Sequence, residues 1–221
     1  MAIARDSSAG GGATAGTAFS YTHTVGSGLN NSIAIVFTCI PGGAGTRSVS
    51  DVTWGGESIV GNVLKNSGNI NNNVVGAYYK VNPPAGATTV AMIISGTATD
   101  ICCESVVYYG VGNSQPDAST SGTGYPFTLT PNVDKTWMIA AYSDVTTSGT
   151  PSVASGGTAV RSQVTGNATI IVADTNAQIS PPTSTTITFS NTVQSNACGI
   201  AFTLAPLGNI LSFRTLLGVG V

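Results

Sequence analysis

The chain has 221 residues, of which 42% are hydrophobic and only 7% charged, with a formal net charge of −2. A chain of that length can bury a substantial core, but its seven Lys and Arg form no run. Nucleic acid is therefore not an expected partner, because phosphate binding draws on clustered cations.

Residues 1–16, "MAIARDSSAGGGATAG", lack the apolar centre of an export signal. They read as a flexible N-terminal arm. "SAGGGATAG" is no phosphate cradle, since no strand precedes it and no helix follows. From there the apolar segments are short, rich in β-branched and aromatic residues, and bounded by Gly, Asn or Pro. That pattern marks strands. It places them at Phe19–Thr24, Ser32–Ile40, Val49–Trp54, Ser58–Val60, Val74–Val81, Thr88–Ser95 and Ile101–Tyr109. A polar, loop-like stretch, Gly112–Gly124, follows. Strands resume at Phe127–Thr130, Thr136–Tyr142, Thr158–Gln163, Ala168–Ala173, Thr185–Ser190 and Cys198–Leu204. No window has helical periodicity with caps. No apolar run nears the roughly eighteen residues that a membrane-spanning helix needs.

In "SIAIVFTCI" and "KTWMIAAYS" both alternating faces are apolar. Such strands lie at the centre of a sandwich. The segments then repeat in order. SIAIVFTCI, VTWGGESI, the long strand with "NPPAGATTV" and ICCESVVYYGV match KTWMIAAYS, SVASGGTAV, the long strand with "SPPTSTTITFS" and NACGIAFTLAP. This spacing reads as an internal duplication of a unit of about 90 residues. The expected fold is an all-β, antiparallel, jelly-roll-like sandwich over residues 17–206, with half-units at about 17–112 and 125–206. The Pro-Pro pairs fix strand ends, because proline donates no N–H to a ladder.

Chemistry-bearing motifs are sparse. His23 is the lone histidine, and no G-x-S-x-G elbow, CxxC pair or DxDxDG loop occurs. No catalytic residue, metal or cofactor is expected. Glu57 and Glu104 are the candidate carboxylates for a glycosidase-type pair; Glu104 lies in an apolar strand, a setting that raises a carboxyl pKa, and a Glu104 that faces solvent or meets a Lys is the alternative reading. Cys39, Cys102, Cys103 and Cys198 read as reduced, buried side chains of strands. Trp54, Tyr78, Tyr79 and Tyr125 are candidates for a sugar-stacking platform, with core packing the alternative reading. Residues 207–221 end the chain outside the repeat. Ile210, Leu211, Phe213, Leu216, Leu217, Val219 and Val221 make this tail strongly apolar. A tail of this kind needs cover, and a partner protein is the expected cover.

The run "VTWGGESI … YYKVNPPAGATTVAMIIS … SVVYYGV" resembles a β-sandwich module of bacteriophage and prophage virion proteins, through Trp54–Gly56 and Asn82–Gly86. The resemblance covers about residues 17–206 and is looser in the second half. It implies a jelly-roll or concanavalin-like sandwich and brings no catalytic residues. The expectation is a non-enzymatic structural virion protein: a capsid-decoration, tail or fibre subunit. It would be made in a host cytoplasm and released with the particle. Its partners would be copies of itself and other virion proteins. A carbohydrate-binding or adhesive module, with a host-surface glycan as partner, is the alternative.

Overall fold

The computed structural model describes residues 2–41, 47–70, 73–123, 126–144, 151–166, 168–190 and 197–208, apart from the side chains of Thr97 and Thr99. Every regular element among them is a β-strand. The first half holds β1 (Ala4–Val25), β2 (Ser32–Ile40), β3 (Val49–Trp54), β4 (Glu57–Ser58), β5 (Val63–Asn66), β6 (Val74–Val81) and β7 (Gly86–Tyr109). The second holds β8 (Ala118–Gly122), β9 (Phe127–Leu129), β10 (Trp137–Asp144), β11 (Ser152–Ser155), β12 (Thr158–Thr165), β13 (Ala168–Asp174), β14 (Thr185–Ser190) and β15 (Cys198–Leu204). The expected all-β antiparallel sandwich is what forms.

β1 and β7 organise the first half. They pair antiparallel from Ala4↔Tyr109 to Val25↔Gly86, with a register shift between Gly16 and Ala18. β2 pairs with the end of β7, from Cys102 to Tyr109, and β3 pairs with its start, from Val90 to Ile94. The seven-stranded sheet therefore curls over itself. Ser7 and His23 show how far: they lie 16 residues apart on β1, about 53 Å if extended, yet their side chains meet at 2.9 Å. The curl encloses Ala34, Val36, Val52, Trp54, Tyr78, Val90, Cys103 and Val107.

The second half closes differently. A five-stranded sheet, β12-β13-β10-β15-β8, faces a three-stranded one, β11-β14-β9. Met138, Ala140, Tyr142, Ile171, Ile187 and Phe189 fill the space between them. The outer face of that five-stranded sheet then packs on the first half. Ile33, Ile35, Phe37, Val106 and Tyr108 meet Trp137, Ile139, Ile170, Ile200 and Phe202 in a third core. β2 and β10 are thus buried on both faces along their whole length, which is why both faces of each sequence are apolar.

The halves share one pairing order. β1-β7-β2-β6-β5 corresponds to β8-β15-β10-β13-β12, and β1-β7-β3 to β9-β14-β11. Even the irregularities coincide. Register shifts fall at Val63/Lys65 in β5 and Ala159/Arg161 in β12, and at Val49/Asp51 in β3 and Val153/Ser155 in β11. Bulges are placed features of a fold rather than accidents. Pro83 and Pro181 both lie on the connection that follows the edge-inward strand, β6 to β7 and β13 to β14.

The halves also face each other symmetrically. Cys39 pairs with Cys102 across β2 and β7, as Ser143 pairs with Cys198 across β10 and β15. Cys39 Sγ lies 2.9 Å from Ser143 Oγ.

Several expectations are corrected. Residues 4–16, expected as a flexible arm, are strand. Gly10, Gly11 and Gly12 serve close packing instead. A Cβ on Gly10 would meet the Glu104 carboxylate, one on Gly11 would come 2.8 Å from the Phe19 ring, and one on Gly12 would meet Thr165 Oγ1. Thr88–Ser95 and Ile101–Tyr109 are parts of the single strand β7. β5, β8 and β11 were not anticipated, and β8 lies inside the stretch expected as linker. The two Gly-Gly pairs also differ. Gly55 and Gly56, at φ 61° and 83°, turn β3 into β4, as a primed hairpin requires. Gly156–Gly157 joins β11 to β12.

Candidate functional site

The last described residues of the chain lie beside its first ones. After β15 the backbone pairs back on the residues after β7: Gly112 N–H donates to Ala205 O and Leu207 N–H to Gly110 O, both at 2.9 Å. This pairing holds the chain as far as Leu207. Beside it Ile3 is buried, and Ala2, Asp134, Lys135, Gln178, Pro206, Leu207 and Gly208 line a surface recess of about 420 Å³. Ile210, Leu211, Phe213, Leu216, Leu217, Val219 and Val221, the expected partner-binding residues, lie outside the described residues, as does Tyr125.

A second recess of about 590 Å³, lined by Leu29, Asn30, Asn31, Ser32, Asn82 and Pro83, occupies the corresponding place in the first half. Asn31 before β2 and Lys135 before β10 share a left-handed backbone, at φ 52° and 62°. The first recess is walled by the departing chain, and the second carries amides where the first has the charges of Asp134 and Lys135.

Trp54 and Tyr78 present no exposed ring face. Trp54 is 2% and Tyr78 3% exposed. Trp54 packs inside the first sandwich against His23, with ring centroids 5.2 Å apart. Tyr78 accepts from Asn66 Nδ2 at 3.4 Å. Tyr79, on the opposite face of β6, packs partly buried on the core between the halves. The sequence shows two neighbouring tyrosines on opposite faces of a strand, which ordinarily puts one in water. Here another layer covers each face. The reading that survives for Trp54 and Tyr78 is core packing.

His23 sits in a closed hydrogen-bond chain. Ser7 Oγ donates to Asp6 Oδ2 at 2.7 Å. Asp6 Oδ2 also accepts from the Gly26 N–H at 2.8 Å. With its proton committed to Asp6, Ser7 accepts from His23 Nε2 at 2.9 Å. His23 Nδ1 then accepts from Ser105 Oγ, 2.6 Å away. One ring proton satisfies everything, so the neutral imidazole fits. Burial, more than any neighbour, pushes its pKa down to about 4. A Ser-His nucleophile needs a serine that donates to the ring and is open to a substrate; Ser7 has the reverse polarity, and Ser105, which does donate, is fully buried.

The carboxylates lie apart in environment. Glu57 is 64% exposed and pairs with Lys80 at the surface. Glu104 is fully buried between the halves, where it meets Arg161 of β12. Burial drives its pKa up to about 8, against the pull of Arg161. A second inter-half tie joins Arg5 Nη1 to Asp174 Oδ2 at 3.4 Å, and Tyr108 OH donates to the same oxygen at 2.9 Å. Both ties anchor β1 and β7 to the far edge of the second half.

All four cysteines are free and buried. Cys102 faces the core between the halves, and Cys103 faces the first sandwich. Among the described residues no three His, Cys, Asp or Glu side chains are grouped to hold a metal ion. No helix among them is long and apolar enough to cross a membrane. Sequence reasoning missed that Ala2 and Pro206–Gly208 line one recess. Its one signal was that the apolar tail follows the last repeated strand directly. Comparison of the chain with family models, with curated proteins and with solved structures gave no match.

Proposed function

We propose that this chain is a non-enzymatic structural subunit of virion type, built from a duplicated β unit and held in its assembly by residues 209–221. The observation that carries the reading is the exit at Gly208. The chain is pinned by Leu207 N–H on Gly110 O, and the sequence has seven large apolar side chains in the thirteen residues after Gly208. Each contributes about 1.5–3 kcal/mol if fully buried. Ordering each residue's backbone costs about 1–2 kcal/mol. The balance is close, so the tail is best held where a neighbour's groove or sheet edge adds backbone hydrogen bonds. Arg214 suits the rim, where its guanidinium reaches water. The resemblance of Trp54–Gly56 and Asn82–Gly86 to virion modules points the same way.

The pairing at Leu207 also places the cut for the test. A chain ending at Gly208 keeps its last backbone bonds and is expected to stay folded and monomeric by light scattering, yet to be lost from particles in a pull-down or sedimentation assay. Normal incorporation of the shortened chain would refute the role given to the tail.

A further inference from the structure

We infer that Cys39 of β2 and Cys102 of β7 are a disulfide-forming pair: the bond closes as a staple when the chain folds in an oxidising medium, and the finished fold keeps whichever redox state it was made in. The inference stands apart from the tail and from the virion reading.

Cys39 and Cys102 are register partners on two antiparallel strands. Such partners stand about 4.5–5.5 Å apart at Cα, within the roughly 4.4–6.8 Å that a disulfide spans. Both side chains point into the core between the halves, and their thiols hydrogen-bond each other. The other two cysteines are placed otherwise. Cys103 faces the first sandwich, because neighbours on a strand point to opposite faces. Cys198 lies across the core on β15, its thiol 3.7 Å from Ser67 Oγ. At the corresponding pair of the second half, Ser143↔Cys198, a hydroxyl stands in place of the first sulfur.

The surroundings tolerate the loss of the Cys39 proton. Ser143 Oγ accepts from Asn73 Nδ2 at 2.9 Å, which leaves its own proton for the Cys39 sulfur, 2.9 Å away. That hydrogen bond survives oxidation, since a disulfide sulfur still accepts.

Burial sets the timing. Both thiols are 0% exposed, and β2 lies between β6 and β7, so no oxidant reaches them without parting the sheet. The hydrogen bond from Cys39, and then burial, raise the Cys102 pKa, which makes the attacking thiolate scarce in the fold. Neither restraint holds in the unfolded chain. There the thiolate of one cysteine attacks glutathione disulfide, forming a mixed disulfide and expelling one glutathione thiolate. The thiolate of the other attacks the protein sulfur of that mixed disulfide, closing Cys39–Cys102 and expelling the second. The two cysteines give up two electrons and two protons, and one glutathione disulfide becomes two glutathione molecules. The bond closes a loop of about 60 residues and so restricts the unfolded chain.

The test refolds the reduced, denatured full-length chain in glutathione and glutathione disulfide, then alkylates it in denaturant. Two alkylated cysteines instead of four are expected, with Cys39 and Cys102 in one disulfide-linked peptide. The stapled form is expected to unfold about 5–15 °C above the chain refolded in reductant. Cys102→Ala is expected to abolish the bond and Cys103→Ala to keep it. The already folded, reduced protein is expected to keep four alkylatable thiols in the same mixture while the refolding chain becomes bridged. Cell-free synthesis of the chain with glutathione disulfide present gives the same readout without a refolding step. Four alkylated cysteines after oxidative folding by either route, or a bridge through Cys103 or Cys198, would overturn the pairing. A folded chain that oxidises as fast as the refolding one would overturn the retention, and a bridged chain with an unraised unfolding temperature would overturn the staple. Particle incorporation enters none of these readouts, so this inference and the proposed function fail separately.

Discussion

Glu104 and His23 titrate in opposite senses. Burial raises Glu104 to about 8, so between about pH 4.5 and 8 the folded chain keeps a proton that the unfolded chain has released. Stability falls as pH rises across that window. Burial lowers His23 to about 4, so between about pH 4 and 6.5 the unfolded chain holds the extra proton. That contribution is complete above pH 6.5 and is lost as pH falls. The two slopes oppose each other up to pH 6.5, and Glu104 alone acts from there to 8. Denaturant titrations are expected to show a loss of up to about 2 kcal/mol from pH 6.5 to 8, at about 1.4 kcal/mol per unit. The Glu104→Gln variant is expected to be flat over the same range. A flat profile for the unaltered chain would contradict the buried position of Glu104. At Gly12, where a Cβ would lie 2.7 Å from Ile101 O, alanine is expected to destabilise by about 1–3 kcal/mol. Thermal unfolding checks it, and no change would return residues 4–16 to the status of a loose arm.

At the scale of elements, the sequence revealed the strands that bury side chains and hid those that mainly pair backbones. β2, β6, β10, β13 and β15 carry their own apolar signal. β8 reads Ala-Ser-Thr-Ser-Gly and the start of β1 is glycine-rich. What makes each a strand is a neighbour, Cys198–Leu204 in one case and Ile101–Tyr109 in the other. The break expected at "SGTATD" is the bend where β7 passes from one layer to the other, with Gly96 at φ 74°. Edge strands invite unwanted pairing, and here edges cover each other. Arg161 on β12 reaches the backbone of β1, and Ser67, just after β5, lies 3.7 Å from Cys198 of β15. The tail was legible as an apolar excess outside the repeat, but not its place of exit beside Ala2.

For the whole molecule, the matched spacing of segments was legible in the sequence, whereas the packing of one half on the other was not. Nothing in the sequence says that Cys39 will meet Ser143, or that Tyr78 will be enclosed by the curl of its own half while Tyr79 packs on the core between the halves. Because the halves share a core, with Phe37 stacked on Phe202 at 6.0 Å, they are expected to unfold together. Calorimetry should give one transition with equal calorimetric and van't Hoff enthalpies. Phe202→Ala is expected to lower it by about 3–5 kcal/mol without splitting it. Two resolved transitions would mean that the halves are tandem domains.

The central claim is that this double sandwich is a structural subunit attached by the end at which its chain exits. Imaging the native particle by electron microscopy, with an antibody against the exposed β11–β12 edge as a marker, tests it most directly. The account predicts regularly spaced double sandwiches on the particle, with the Ala2 and Gly208 end against the particle body. Particles without the antigen, or copies attached by the opposite end with Gly208 facing solvent, would contradict it.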